Sequence, residues 1–166
     1  MTLLAIDPGR SYKGEATIGY CLFTDAGEEI ERGSLTWEEL IVRFDGMDEY
    51  MWFTGQRGKM SRVSTVVIED FVNDPKSARG GQRNGTSECI GGVEMVCGLT
   101  RTPMYRQRSD ALGPAKMHAP KGSWKDLKHL RHEDSAYLHG YEFLVRRGVL
   151  QSAGLEATIL ENGRSE

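Results

Sequence analysis

The sequence predicts an α/β domain: a mixed sheet of five strands with helices on both faces. Two short apolar runs, Leu3-Leu4-Ala5-Ile6 and Ser64-Thr65-Val66-Val67-Ile68, end in acid at Asp7 and at Glu69-Asp70, as buried strands that stop at a turn do. Other segments repeat their apolar residues at helical spacing. The resulting order, βββαβαβα, fits a sheet that combines an antiparallel hairpin with parallel crossovers.

The first strand runs into Asp7-Pro8-Gly9, a turn sequence. Residues 17–23 and 28–35 flank Asp25-Ala26-Gly27 and predict a hairpin with a three-residue loop. Thr36-Trp37-Glu38-Glu39 has the capping-box pattern, and Trp37, Leu40, Ile41 and Phe44 continue it as one helical face. The β-branched run at 64–68 is the fourth strand. Residues 73–87 are polar, basic and glycine-rich and predict a mobile loop. Cys89, Ile90, Val93, Val96 and Cys97 mark a second helix face, and residues 103–107 a fifth strand. Residues 109–124 carry no periodic signal. The last helix starts at Asp126 or His132, carries Tyr137, Leu138, Tyr141, Leu144 and Val145 as its apolar stripe, and closes at Gly148. Residues 1–154 then form one domain, with a frayed tail at 155–166.

At 166 residues the chain has the size of one domain with a real core. It has no apolar run of the roughly 20 residues that span a membrane, and its first residues carry no basic leader, so neither a signal peptide nor an anchor is expected. Three cysteines without a CxxC pair fit reduced thiols and a cytoplasmic location. The net charge of −3 conceals a strong segregation. Residues 1–56 hold 4 Lys and Arg against 11 Asp and Glu, residues 57–131 hold 14 against 7, and residues 132–166 hold 3 against 6. A middle segment of +7 between acidic flanks can present a positive face to phosphate.

The acids suggest where chemistry sits. Asp7 closes the first strand, Glu69 the fourth, and Asp134 opens the last helix. If those strands are parallel neighbours, three carboxylates converge, and a hard divalent cation coordinated through oxygen would relieve their repulsion. Such a site activates water and steadies the leaving oxygen of a phosphodiester. Taken singly, each acid also suits a turn or a helix cap.

Leu3-Leu4-Ala5-Ile6-Asp7-Pro8-Gly9, Gly19-Tyr20, Val66-Val67-Ile68-Glu69 and Asp134-Ser135-Ala136 together resemble the motif set of the RuvC-type Holliday junction resolvases. The phage-borne members, with a helix similar to His139-Gly140-Tyr141-Glu142-Phe143-Leu144, are the nearest in pattern. The resemblance implies a ribonuclease-H-like fold and a homodimeric endonuclease, dependent on two Mg²⁺ ions or on Mn²⁺ in their place, that nicks four-way DNA junctions in recombination. For a phage-borne chain the location would be the host cytoplasm. Asp7, Glu69 and Asp134 would be the metal ligands. Phe71 would be a junction-wedging aromatic, or else a core phenylalanine.

Two departures stand out. Arg10 to Ile18 lengthen the first turn, and the position three before the last acid, where the family has a second Asp or His, is Arg131. His132 is the candidate catalytic partner, but it lies about 200° around a helix from Asp134; Glu133 and Asp70 are the alternatives for the fourth ligand. Lys76, Arg79, Arg83, Arg106, Arg108 and Lys116 are the expected phosphate contacts. Residues 91–99 or the last helix would form the dimer surface. Other functions with the same elements are cleavage of flaps, forks or RNA–DNA hybrids, branched-DNA binding without catalysis, and a sugar-kinase-like or actin-like phosphate site, for which the chain is short.

Overall fold

Strand β1 (Thr2–Asp7) is buried on both faces, which is why its sequence is a continuous apolar run rather than an alternating one. It pairs antiparallel with β2 (Ile18–Thr24) and parallel with β5 (Met60–Asp70). The computed structural model describes residues 2–9, 17–44, 51–53, 60–70, 85–125 and 130–151. Outward from β2 lies β3 (Glu29–Leu35), a half-exposed edge strand whose charged residues discourage further pairing. On the far side, β5 is flanked by two short strands along its length. Its first residues pair antiparallel with β4 (Met51–Phe53), and its last pair parallel with β6 (Met104–Arg108).

The α/β class and the mixed sheet with helices on both faces are as predicted. Side-chain alternation divides the core in two. Leu4, Ile6, Ile18, Tyr20, Leu22, Val66 and Ile68 face α1 (Trp37–Phe44) and α2 (Gly85–Thr100). Leu3, Ala5, Cys21, Phe23 and Val67 face α3 (Leu112–His118) and α4 (His132–Arg146). Each fully buried Leu, Ile or Phe contributes about 1.5–3 kcal/mol.

The predicted cap of α1 is present, although Ile41, expected on its apolar face, is exposed. Thr36 and Glu39 cap α1 reciprocally, Glu39 N–H donating to Thr36 Oγ1 at 3.1 Å and Thr36 N–H donating to Glu39 Oε2 at 2.8 Å. Several boundaries differ. Residues 85–87, assigned to a mobile loop, form the first turn of α2, and Thr86 there is buried and donates its hydroxyl to the Gly9 carbonyl. The aperiodic stretch after 109 holds a 3₁₀ turn (Ser109–Ala111) and α3, whose apolar contacts are mainly alanines too small to register as a stripe. Strand β4 and the first residues of β5 were not predicted at all. The three cysteines are buried and free.

Candidate active site

Asp7, the last residue of β1, is held by the turn that follows it. Gly9 N–H donates to Asp7 Oδ1 at 2.9 Å. Gly9 has φ +50°, and a Cβ there would lie 1.8 Å from the Thr17 carbonyl oxygen, so the turn requires glycine on both counts. The β1–β5 register pairs Ile6 with Ile68, which places Asp7 and Glu69 side by side at the carboxyl ends of two parallel strands. Both line a cleft of about 490 Å³. Pro8, Gly9, Thr17, Thr86, Leu112, Leu130, His132 and Ser135 complete its lining.

The first turn of α4 reaches the cleft because β2 has a glycine opposite Asp7. Gly19 pairs with Asp7 across the sheet, and a Cβ on it would lie 2.0 Å from the His132 carbonyl. The helix backbone therefore packs directly on the strand. His132 then sets Nδ1 3.3 Å from Asp7 Oδ1. Its polar contact with Asp7 raises its pKa above the ordinary 6.5, outweighing partial burial.

Asp134 is outside this cleft, contrary to its expected place as the third converging carboxylate. The helix begins at His132, so Asp134 faces about 200° away and points back over the sheet toward β3. There Arg32 Nη1 donates to Asp134 Oδ1 at 3.0 Å while its other nitrogens hold Glu29 at 2.7 and 2.8 Å. The Arg32 guanidinium also lies 4.3 Å from the centre of the Tyr137 ring. The two alternatives for the fourth ligand are also engaged elsewhere. Ser34 donates to Glu133 at 2.8 Å; burial pushes Glu133 up, but hydrogen bonds from its own backbone and Ser34, with Arg131 close by, hold its carboxyl below the usual range. Asp70 pairs with Arg106 at 3.5 Å.

The expected phosphate contacts divide. Phe71, Lys76, Arg79 and Arg83 lie outside the described residues. Arg106 and Arg108 sit on β6 in register with Ile68 and Asp70, at the same sheet end as the carboxylates. Arg106 bridges Asp70 and Glu94, whereas Arg108, among the described residues, has only a long 3.9 Å contact with Asp110 and is largely exposed. Lys116 lies 4.9 Å from the centre of the Trp124 ring on the adjoining surface. None of these three lines the cleft.

Two residues near Glu69 were missed as site residues. Gln107 is its register partner on β6 and has a buried Oε1 with no hydrogen-bond partner among the described residues. His139, fully buried, brings Nε2 to 3.4 Å from Glu69 Oε2. A spacing signal existed: positions 132, 135 and 139 share one helical face.

Among the described residues lining the cleft there is no lysine or arginine to balance Asp7 and Glu69. Nor, among the described residues, do three or more His, Cys, Asp or Glu gather closely enough to cage an ion. Two carboxylates on adjacent strands, open to a cleft roomy enough for a phosphodiester, fit Mg²⁺, which is commonly bound through one or two carboxylates plus water and substrate phosphate. They do not fit the closed four-ligand sphere of structural zinc.

No family model matches the sequence, and no curated protein matches it. Solved structures do. Thermus thermophilus RuvC in complex with Holliday junction substrate superposes with a TM-score of 0.54 at 15% identity, covering 91% of this chain and 98% of that one. A second Thermus thermophilus RuvC structure gives 0.54 at 14%, covering 91% and 99%. A ROK family protein from Streptococcus pneumoniae gives 0.41 at 15%, covering 70% of this chain and 38% of that one. The chain thus has the ribonuclease-H-like fold of RuvC over nearly its whole length. Nothing in this likeness singles out the phage-borne members that the motifs resemble.

Proposed function

We propose that this protein is a divalent-metal-dependent endonuclease that resolves four-way DNA junctions. The observation that carries this reading is the pairing of Asp7 and Glu69 at the ends of adjacent parallel strands, in a cleft whose described lining offers no lysine or arginine. The RuvC-like fold and the motif resemblance support it. Mg²⁺, or Mn²⁺ in its place, would be held by Asp7 and Glu69; two ions per site remain part of the proposal. When bound, the metal supplies an activated water and charge neutralisation at the scissile phosphate.

The chain's own groups do the rest. Gly9 N–H and His132 hold Oδ1 of Asp7, so the other oxygen would take incoming ligands. His132, with Nδ1 on Asp7, has Nε2 to hold or deliver a proton at the rim. Leu112 and Leu130 give the cleft apolar walls that limit bulk water around a bound phosphodiester. Arg108, beside the carboxylates at the sheet end, would hold a flanking phosphate without reading bases.

A homodimer would match the two-fold character of a four-way junction. Its surface in this proposal is α2, whose Met95 and Leu99 are 64% and 74% exposed. The alternative, α4, is buried from Asp134 through Glu142 and has no such face to offer.

The test is cleavage of labelled four-way junction, duplex, flap and RNA–DNA hybrid by the purified chain, with Mg²⁺ and with EDTA. Paired symmetrical nicks in the junction alone, lost with EDTA and in Asp7→Asn, are expected. Preference for flaps or hybrids would reassign the substrate, and junction binding without metal-dependent cleavage would reject an enzyme.

A further inference from the structure

Helix α4 carries a second histidine that the proposed reaction has not used. His139 lies seven residues after His132, two helical turns along and within about 20° of the same direction. One helix face therefore sets His132 against Asp7 at 3.3 Å and His139 against Glu69 at 3.4 Å, giving each strand-end carboxylate its own imidazole. The two imidazoles differ in exposure. His132 is partly exposed and lines the cleft; His139 is fully buried and does not. It reaches Glu69 from inside the protein, while Glu69 itself opens into the cleft.

A buried imidazole in the middle of a helix packed on a sheet is a poor substitute for leucine. Neither ring nitrogen of His139 has a hydrogen-bond partner among the described residues, and each buried polar group left unpaired costs about 1–3 kcal/mol. Native proteins retain few such groups. Glu69 Oε2, 3.4 Å away, is able to satisfy Nε2, since a small carboxylate rotation would shorten that distance to a normal hydrogen bond.

We infer that His139 is a positioning residue that donates from Nε2–H to Glu69 Oε2, fixing that oxygen on the protein side and turning the other toward a divalent ion in the cleft. This rests on the assignment of Glu69 as an ion-holding carboxylate. Hydrogen bonds from behind a ligating carboxylate orient it, and their loss weakens metal binding by about 10–100-fold.

The test uses the complete chain and Mn²⁺ alone as probe, by titration calorimetry without DNA, with imidazole ¹⁵N spectra recorded in parallel. His139→Leu should fold with an unchanged or higher Tm, since it removes two unpartnered nitrogens, yet bind Mn²⁺ about 10–100-fold more weakly. His139→Gln, which keeps an N–H donor near the Nε2 position, should recover most of that loss. The wild-type spectrum should show His139 protonated on Nε2, with a proton resonance that moves upfield in Glu69→Ala.

Equal Mn²⁺ affinity in wild type and His139→Leu would overturn the assignment and leave the metal reading of the cleft intact. So would a Gln variant as weak as Leu, or an Nε2 resonance indifferent to Glu69→Ala. If the wild type binds no Mn²⁺, the metal reading fails, and the ¹⁵N spectrum alone decides whether His139 holds Glu69.

Discussion

Asp7 and Asp134 occupy equivalent-looking places, one ending a strand and the other opening a helix, yet the structure gives them different surroundings. Asp7 faces a cleft with one oxygen held by Gly9 and His132 and with no lysine or arginine among the described residues that line it. Asp134 faces Arg32, which also grips Glu29 and covers Tyr137, so that it already has a cation within the fold, shared with Glu29. An acid without a resident cation is suited to an exogenous one. An acid with its own arginine ties α4 to β3.

This contrast can be broken experimentally. The largest effect is expected from Asp7→Asn, which should eliminate Mg²⁺-dependent cleavage while changing Tm little; cleavage rate and melting curve on the same preparation check it. Next comes His132→Ala, which should slow turnover by about 10²–10⁴-fold with junction binding retained, as measured by single-turnover cleavage beside a gel-shift titration. Near-normal turnover would remove His132 from the reaction. On the structural side, Arg32→Met should leave Asp134 and Glu29 without their cation and cost about 1–3 kcal/mol of stability, read from urea unfolding, while cleavage per folded molecule is preserved.

The smallest effect is a pH dependence. His132 has a folded pKa above its ordinary 6.5, so its contribution to stability is fully present below that value and is lost as pH rises through the raised folded value. Melting in EDTA should therefore fall over that window, and the His132-dependent part of the slope should vanish in His132→Ala. Glu133 works in the opposite direction: its carboxyl is held below the usual range, so its stabilisation is present above its unfolded pKa and disappears as pH falls through the lowered value.

Much of the fold was legible because its signals are local. The apolar runs at 3–6 and 64–68, the hairpin at Asp25-Ala26-Gly27 and the reciprocal cap of Thr36 and Glu39 are all decided within a few residues. Strand β4 has three residues, too few for periodicity to register, and α3 and the residue that caps it pack through Ala115 and Ala119, which leave no apolar stripe. For the site, Asp7 and Glu69 were readable as strand ends, since parallel pairing alone makes them neighbours.

The facing of α4 was less readable, because it depends on the residue at which the helix starts. With the start at His132, the face toward the sheet end carries His132, Ser135 and His139, and Asp134 turns to Arg32. Arg32 is 102 residues away in sequence, a separation at which no local pattern reveals a pairing.

On this proposal the metal acts in the cleft of Asp7 and Glu69 rather than at the Arg32-bound Asp134. Cleavage of a labelled four-way junction in Mg²⁺ by Asp7→Asn and Asp134→Asn, side by side at a temperature where both are folded, tests it most directly. The account predicts paired nicks from Asp134→Asn and none from Asp7→Asn. Retained cleavage by Asp7→Asn, or equal silence from a folded Asp134→Asn, would contradict it.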